Sequence, residues 1–194
     1  MPRLFTGLEI PDDVGQSLSL LRGGLPGARW ISPENYHVTL RFIGDIDGLC
    51  ANEIASTLLR VNRRPFEVCI QGLTSFGGKK PRAVVASLAP CRQLMELQAE
   101  LERLIQRVGL EPEGRKFIPH VTLARLRDSS NRDVAEYLSV RGYFPPQRFM
   151  VSRFVLFSSR NSVGGGPYIV EDAYDLRAQP LTPPAPSAHL GSGA

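Results

Sequence analysis

The stretch YHVTLRFIG, Tyr36–Gly44, holds a tetrapeptide that returns at His120–Leu123 within FIPHVTLARL, Phe117–Leu126. Both stretches are rich in β-branched and aromatic residues, which predicts a strand for each. The two histidines lie 83 positions apart (120 − 37), and so do Phe66 and Phe149, Val68 and Val151, and Leu73 and Leu156. Further on, PRAVVASL from Pro81 matches PYIVEDAY from Pro167 after a three-residue shift. Chance likeness between two ordinary segments does not keep its order over such a length. An internal duplication does.

Working outward, Arg3–Ile10 reads as a strand, and Pro11-Asp12-Asp13 opens a helix running to about Arg22. Gly23, Gly24, Pro26 and Gly27 end it. Leu49–Val61 reads as a helix, and Phe66–Phe76 and Arg82–Leu88 as strands around Gly77–Pro81. The order then restarts. Gln93–Val108 is an amphipathic helix with Leu94, Leu97, Leu101, Leu104 and Val108 at three- and four-residue steps. Arg132–Val140 is a short helix, and Arg148–Phe157 and Pro167–Leu176 are strands. Each repeat thus runs helix, histidine strand, helix, strand, strand. This predicts an α+β fold of two pseudo-symmetric lobes, with antiparallel sheets lining a central cleft and helices outside. Residues 1–177 are expected to form one two-lobed domain. The proline-, serine- and glycine-containing stretch 178–194 is expected to be a disordered tail, and its His189 is set aside.

Composition narrows the class. The 194 residues are 42% hydrophobic and 22% charged, as in an ordinary folded enzyme. No apolar run approaches the roughly 20 residues that span a bilayer. The first residues lack the apolar core of a secretory signal, so the cytoplasm is the expected location. Three cysteines with no CxxC argue against a disulfide framework and a zinc site. The net charge of +4 suits a polyanionic substrate without deciding for one.

Strand side chains alternate faces, so His37 and Thr39 share one face while Val38 and Leu40 share the other. His120 and Thr122 repeat the pattern against Val121 and Leu123. Two such faces across one cleft would hold two imidazoles and two hydroxyls. In-line displacement at phosphorus needs a base for the attacking water and an acid for the leaving oxygen. Histidine serves either role near neutral pH. Threonine hydroxyls can donate to the non-bridging oxygens. The arrangement calls for no metal and no cofactor, and the sequence has no HExxH.

Trp30–Gly44 and Phe117–Arg125 resemble the two motif regions of the 2H phosphoesterase superfamily. They look most like its RNA 2′,3′-cyclic phosphodiesterases, the LigT-type 2′–5′ RNA ligases, over Leu4 to about Leu176. The resemblance implies conversion of a 2′,3′-cyclic phosphate RNA end to a 2′-phosphate, with His37 as proton donor and His120 as proton acceptor. Thr39 and Thr122 would hold the phosphate, and 2′–5′ ligation would be a secondary activity. It also implies Arg125 as a phosphate-side cation and Phe42 as an aromatic near the base. Strict alternation opposes both, placing them on the core face unless the strands bulge, and sets Arg41 beside His37 instead.

The basic loop Gly77–Arg82 is not a P-loop and reads as a solvated hairpin turn, with a grip on RNA as the other reading. Trp30 and Tyr36 read as packing at the start of the strand rather than as base-stacking groups. The expected partner is RNA with a 2′,3′-cyclic phosphate end, tRNA fragments among the candidates, and the expected state is a monomer without membrane contact. Two alternatives remain open: a phosphodiesterase for small cyclic nucleotides or ADP-ribose cyclic phosphate, and a non-catalytic RNA-binding module.

Overall fold

The computed structural model describes residues 3–159 and 166–177. The expected tail, 178–194, lies outside them. Nine strands and four helices follow one another as β1 (Arg3–Glu9), α1 (Asp12–Ser19), β2 (Ala28–Trp30), β3 (His37–Asp45), α2 (Gly48–Leu58), β4 (Phe66–Phe76), β5 (Ala83–Leu88), α3 (Arg92–Arg107), β6 (His120–Leu126), α4 (Asn131–Arg141), β7 (Gln147–Val151), β8 (Arg153–Ser159) and β9 (Tyr168–Asp175). Local signals set several boundaries. Asp47 caps α2 by accepting from the Cys50 amide, and Ser130 with Asp133 forms a capping box on α4.

The strands form one antiparallel sheet in the order β7-β4-β5-β6-β3-β1-β8-β9, with β2 added to β6. The two histidine strands meet at a single pair, Val38 opposite Val121. The sheet therefore divides there into β7-β4-β5-β6, extended by β2, and β3-β1-β8-β9. The hairpin β4–β5 of the first repeat completes the half that carries His120. The hairpin β8–β9 of the second repeat completes the half that carries His37. Besides β2, the halves differ in the origin of the strand beside the histidine strand. β1 takes the place beside β3 that β5 takes beside β6, so β9 lies at the outer edge although it matches β5 in sequence.

The apolar faces of both halves share a core. Val38, Leu40, Val121 and Leu123 pack with Leu94, Leu97, Leu101 and Ile105 of α3 and with Ile54 and Leu58 of α2. Each fully buried leucine contributes roughly 2 kcal/mol of transfer free energy. A second cluster joins Val134 and Tyr137 of α4 to Leu25, Val84 and Ala124. A third, of Phe5, Val155 and Phe157, sits on the opposite face of the His37 half.

Some boundaries differ from the sequence expectation. β6 begins at His120 rather than Phe117, because Pro119 has no N–H to give the ladder and offers only its carbonyl, which accepts from the Leu88 amide. The strand expected over Arg148–Phe157 is divided at Ser152, where the chain leaves β4 for β1 and β9. β2 has no period long enough to read. It is held by Gly27, whose φ is 71° and whose absent Cβ would come within 2.3 Å of the Arg127 carbonyl. Trp30 packs against Tyr137 at 5.7 Å, and Tyr36 is buried in the core.

Candidate active site

A bulge occurs at the same point of each histidine strand. Along β1 and β3, Gly7 faces Thr39 and Thr6 faces Arg41, leaving Leu40 without an opposite number. Along β5 and β6, Val85 faces Thr122 and Val84 faces Ala124, leaving Leu123 without one. The extra residue reverses the alternation beyond it. Phe42 and Arg125 therefore turn to the face that carries the histidines and threonines, as the family likeness implied and strict alternation did not. Phe42 is 47% exposed and lies 5.7 Å from Phe5.

The same reversal corrects the placement of Arg41. It turns to the core side and is only 6% exposed. There its guanidinium pairs with Glu102 of α3 and donates to the carbonyls of Phe42 and Glu111. It ties strand to helix, and the residue reaches the cleft wall only from that buried position.

His37, Thr39, His120, Thr122, Phe42 and Arg125 all line one cleft of about 730 Å³. The imidazoles are held alike. His37 Nδ1 lies 2.8 Å from the Asn35 carbonyl, and His120 Nδ1 lies 2.7 Å from the Ile118 carbonyl. A carbonyl can only accept, so each ring carries its proton on Nδ1 when neutral and presents an unprotonated Nε2. His37 Nε2 is 3.1 Å from Thr39 Oγ1. Among the described residues, no hydrogen bond to His120 Nε2 is formed.

Aromatic rings complete the setting. His37 lies among Phe5 at 5.0 Å, Phe157 at 5.6 Å and Tyr168, edge-on at 4.7 Å. His120 has one such neighbour, Phe76, edge-on at 4.7 Å. The side chain of Asn35 also accepts from the Tyr168 amide, joining the start of β9 to the segment that orients His37. Sequence reasoning missed Phe76, Tyr168 and the orienting carbonyls. The carbonyl pair had a signal, because Asn35 and Ile118 stand two residues before their histidines at the common spacing. The aromatics had none, as each lies far along the chain from the histidine it packs against.

Both imidazoles titrate below their ordinary value of about 6.5. Burial lowers His37 to about 4, with the hydrogen bond to Asn35 opposing and the charges of His120 and Arg125 adding to the fall. Burial also lowers His120, opposed by its bond to Ile118 and helped by Arg125. Each ring is therefore neutral at rest near pH 7 and takes up a proton more readily once a negative ligand enters. Among the described residues, no three His, Cys, Asp or Glu side chains converge as a metal site. Nor, among those residues, is any helix long and apolar enough to cross a membrane.

The family model of the 2′-5′ RNA ligase superfamily matches residues 14–162 of this chain. A protein of Thermotoga maritima named RNA 2′,3′-cyclic phosphodiesterase is 32% identical over 176 residues, covering 87% of this chain and 92% of that protein. One of the same name from Aeropyrum pernix is 34% identical over 115 residues, covering 58% of this chain and 65% of that protein. The crystal structure of E. coli LigT complexed with 3′-AMP superposes with a TM-score of 0.75 at 24% identity, covering 92% of this chain and 100% of that one. That last likeness is one of fold.

Proposed function

This chain belongs to the 2′-5′ RNA ligase superfamily, and from that premise we propose that it hydrolyses 2′,3′-cyclic phosphate ends of RNA to 2′-phosphates. One observation carries the reading. Two imidazoles, each fixed through Nδ1 by the carbonyl two residues earlier, present Nε2 to a common cleft that also holds Arg125. Acid and base of matched orientation are what an in-line displacement at phosphorus requires.

In this reading His120 Nε2, which forms no hydrogen bond among the described residues, takes the proton of the attacking water. The water oxygen bonds to phosphorus as the bond to the ribose 3′ oxygen breaks. His37, protonated in the complex, gives its Nε2 proton to that oxygen. Thr39, whose hydroxyl donates to the unprotonated Nε2 in the free protein, turns to donate to a phosphate oxygen once His37 is protonated. Thr122 and Arg125 hold the remaining non-bridging oxygens. The products are a 2′-phosphate and a free 3′-hydroxyl, and solvent restores the two protonation states. With the 5′-hydroxyl of a second RNA in place of water, the same steps give a 2′–5′ linkage. No step uses a metal ion.

The test is incubation of a 2′,3′-cyclic-phosphate substrate with the protein in EDTA, with the product analysed for the position of its phosphate. A 2′-phosphate is expected. His37→Ala and His120→Ala should each lower kcat by roughly 10²- to 10⁴-fold. A 3′-phosphate product, loss of turnover on chelation, or full activity in either variant would refute the scheme.

A further inference from the structure

The two walls of the cleft match in backbone and differ in chemistry. Phe42 is the counterpart of Arg125 (125 − 83) in sequence and in the sheet, while Tyr168 matches Arg82 (168 − 86) in sequence alone, because β9 lies at the outer edge and β1 takes the place of β5. The wall around His37 is thus aromatic where the wall around His120 is cationic. The cations also continue past the cleft. In the ladder between β2 and β6, Arg29 stands directly opposite Arg125, and in that between β5 and β6, Arg125 stands opposite Ala83. Arg82, next to Ala83, accepts from the Leu126 amide through its carbonyl and lines the cleft.

Residues directly opposite each other in a ladder share a face. Trp30 and Ala124, on the other face, pack with the α4 cluster, so Arg29 and Arg125 point to the cleft side. With strands about 4.8 Å apart, Arg125 and Arg29 stand in one ladder row with Ala83, and Arg82, the residue before Ala83, extends the group to three arginines over roughly 10 Å. Like charges set opposite each other are unfavourable. Among the described residues, none of these three has a carboxylate within ion-pair distance, whereas Arg41, Arg63, Arg148 and Arg153 all do. A row of exposed, uncompensated guanidinium groups is a site that a polyanion would complete.

We propose that Arg29 and Arg82, flanking Arg125, bind phosphates of the nucleotides that precede the reacting end, so that the substrate is an oligonucleotide rather than a mononucleotide. The inference rests on the phosphodiesterase reading above and adds its substrate length. Arg125 serves the reacting phosphate, and the two flanking arginines act only on a chain long enough to reach them.

The experiment compares a 2′,3′-cyclic-phosphate oligonucleotide with a 2′,3′-cyclic mononucleotide across a salt series, for the natural protein and the double variant Arg29→Gln/Arg82→Gln. The natural protein should show a lower KM for the oligonucleotide, rising with salt. The variant should raise that KM by about tenfold at low salt and flatten its log–log salt slope by about 1.4, at 0.7 for each single-strand phosphate contact. The kcat for the oligonucleotide and both constants for the mononucleotide should hold, and thermal unfolding should match the natural protein. An equal loss on both substrates, or no oligonucleotide preference in the natural protein, overturns the inference while leaving the phosphodiesterase reading intact. Turnover of neither substrate by the natural protein overturns that reading and the inference together.

Discussion

Leu40 and Leu123 hold the same place in the two repeats, and each is the unpaired residue of a bulge in its histidine strand. Before the bulge, the histidine and threonine face the cleft. After it, the next residue turns to the core side and the one following turns to the cleft. The device places Phe42 on one wall and Arg125 on the other, and sends Arg41 toward α3.

That last displacement is open to a direct measurement. Arg41→Met leaves Glu102, only 17% exposed, without its cation. Breaking a buried pair by removing one partner costs about 3–5 kcal/mol. Urea unfolding should show a loss near the lower end of that range, since Glu102 also accepts from Gln106 and from the Glu113 amide. Activity per folded molecule should change little. A selective rise in KM without loss of stability would return Arg41 to the phosphate.

The pH dependence of turnover follows from the two depressed imidazoles. The competent state carries one proton between them, so it is populated between their two values. Both values lie below 6.5 in the free protein. A profile of kcat/KM, which reports the free enzyme, should therefore peak on the acid side of 6.5 and fall as pH rises. The bound phosphate raises both imidazoles, so the kcat profile should be displaced to higher pH. Coincident profiles would contradict this.

Stability should carry the same signature. His37 titrates near 4 in the folded chain and near 6.5 when unfolded, so between those values the unfolded chain binds more protons. Its contribution is fully present above pH 6.5 and is lost as pH falls toward 4, on the order of 3 kcal/mol in total. The urea midpoint of His37→Gln should drop less over that window than that of the natural protein. Parallel curves would show that burial does not control the ring.

Phe42→Ala should separate binding from chemistry. The ring is half-exposed beside Phe5, so its loss leaves the core intact. Removing an aromatic that stacks on a base costs about 1–3 kcal/mol, or roughly 5- to 150-fold in KM, with kcat kept. A fall in kcat at constant KM would assign the ring to positioning His37 instead.

Much of this organisation is legible in the sequence. Alternation in His-Val-Thr-Leu sorts the polar pair from the core pair, and the leucine spacing of Gln93–Val108 gives α3 and its buried face. The order of elements gives the repeat, though not the exchange of hairpins that builds each half of the sheet. What stays hidden depends on partners distant in sequence. Nothing in LRF or LAR marks a bulge, because a bulge is defined by the strand opposite. The short β2 is fixed by the fit of Gly27 against Arg127, and the break at Ser152 by a change of neighbour.

The exchange of hairpins between the two halves sets what each copy was free to become. Neither repeat carries a whole half-sheet of its own, so neither could be lost or refashioned as a fold without the other. Yet two copies enclose one cleft, so no residue of that cleft has to serve twice. Inheritance bound the copies together as architecture and released them as surfaces, and a division of labour followed: one came to offer rings, the other charge.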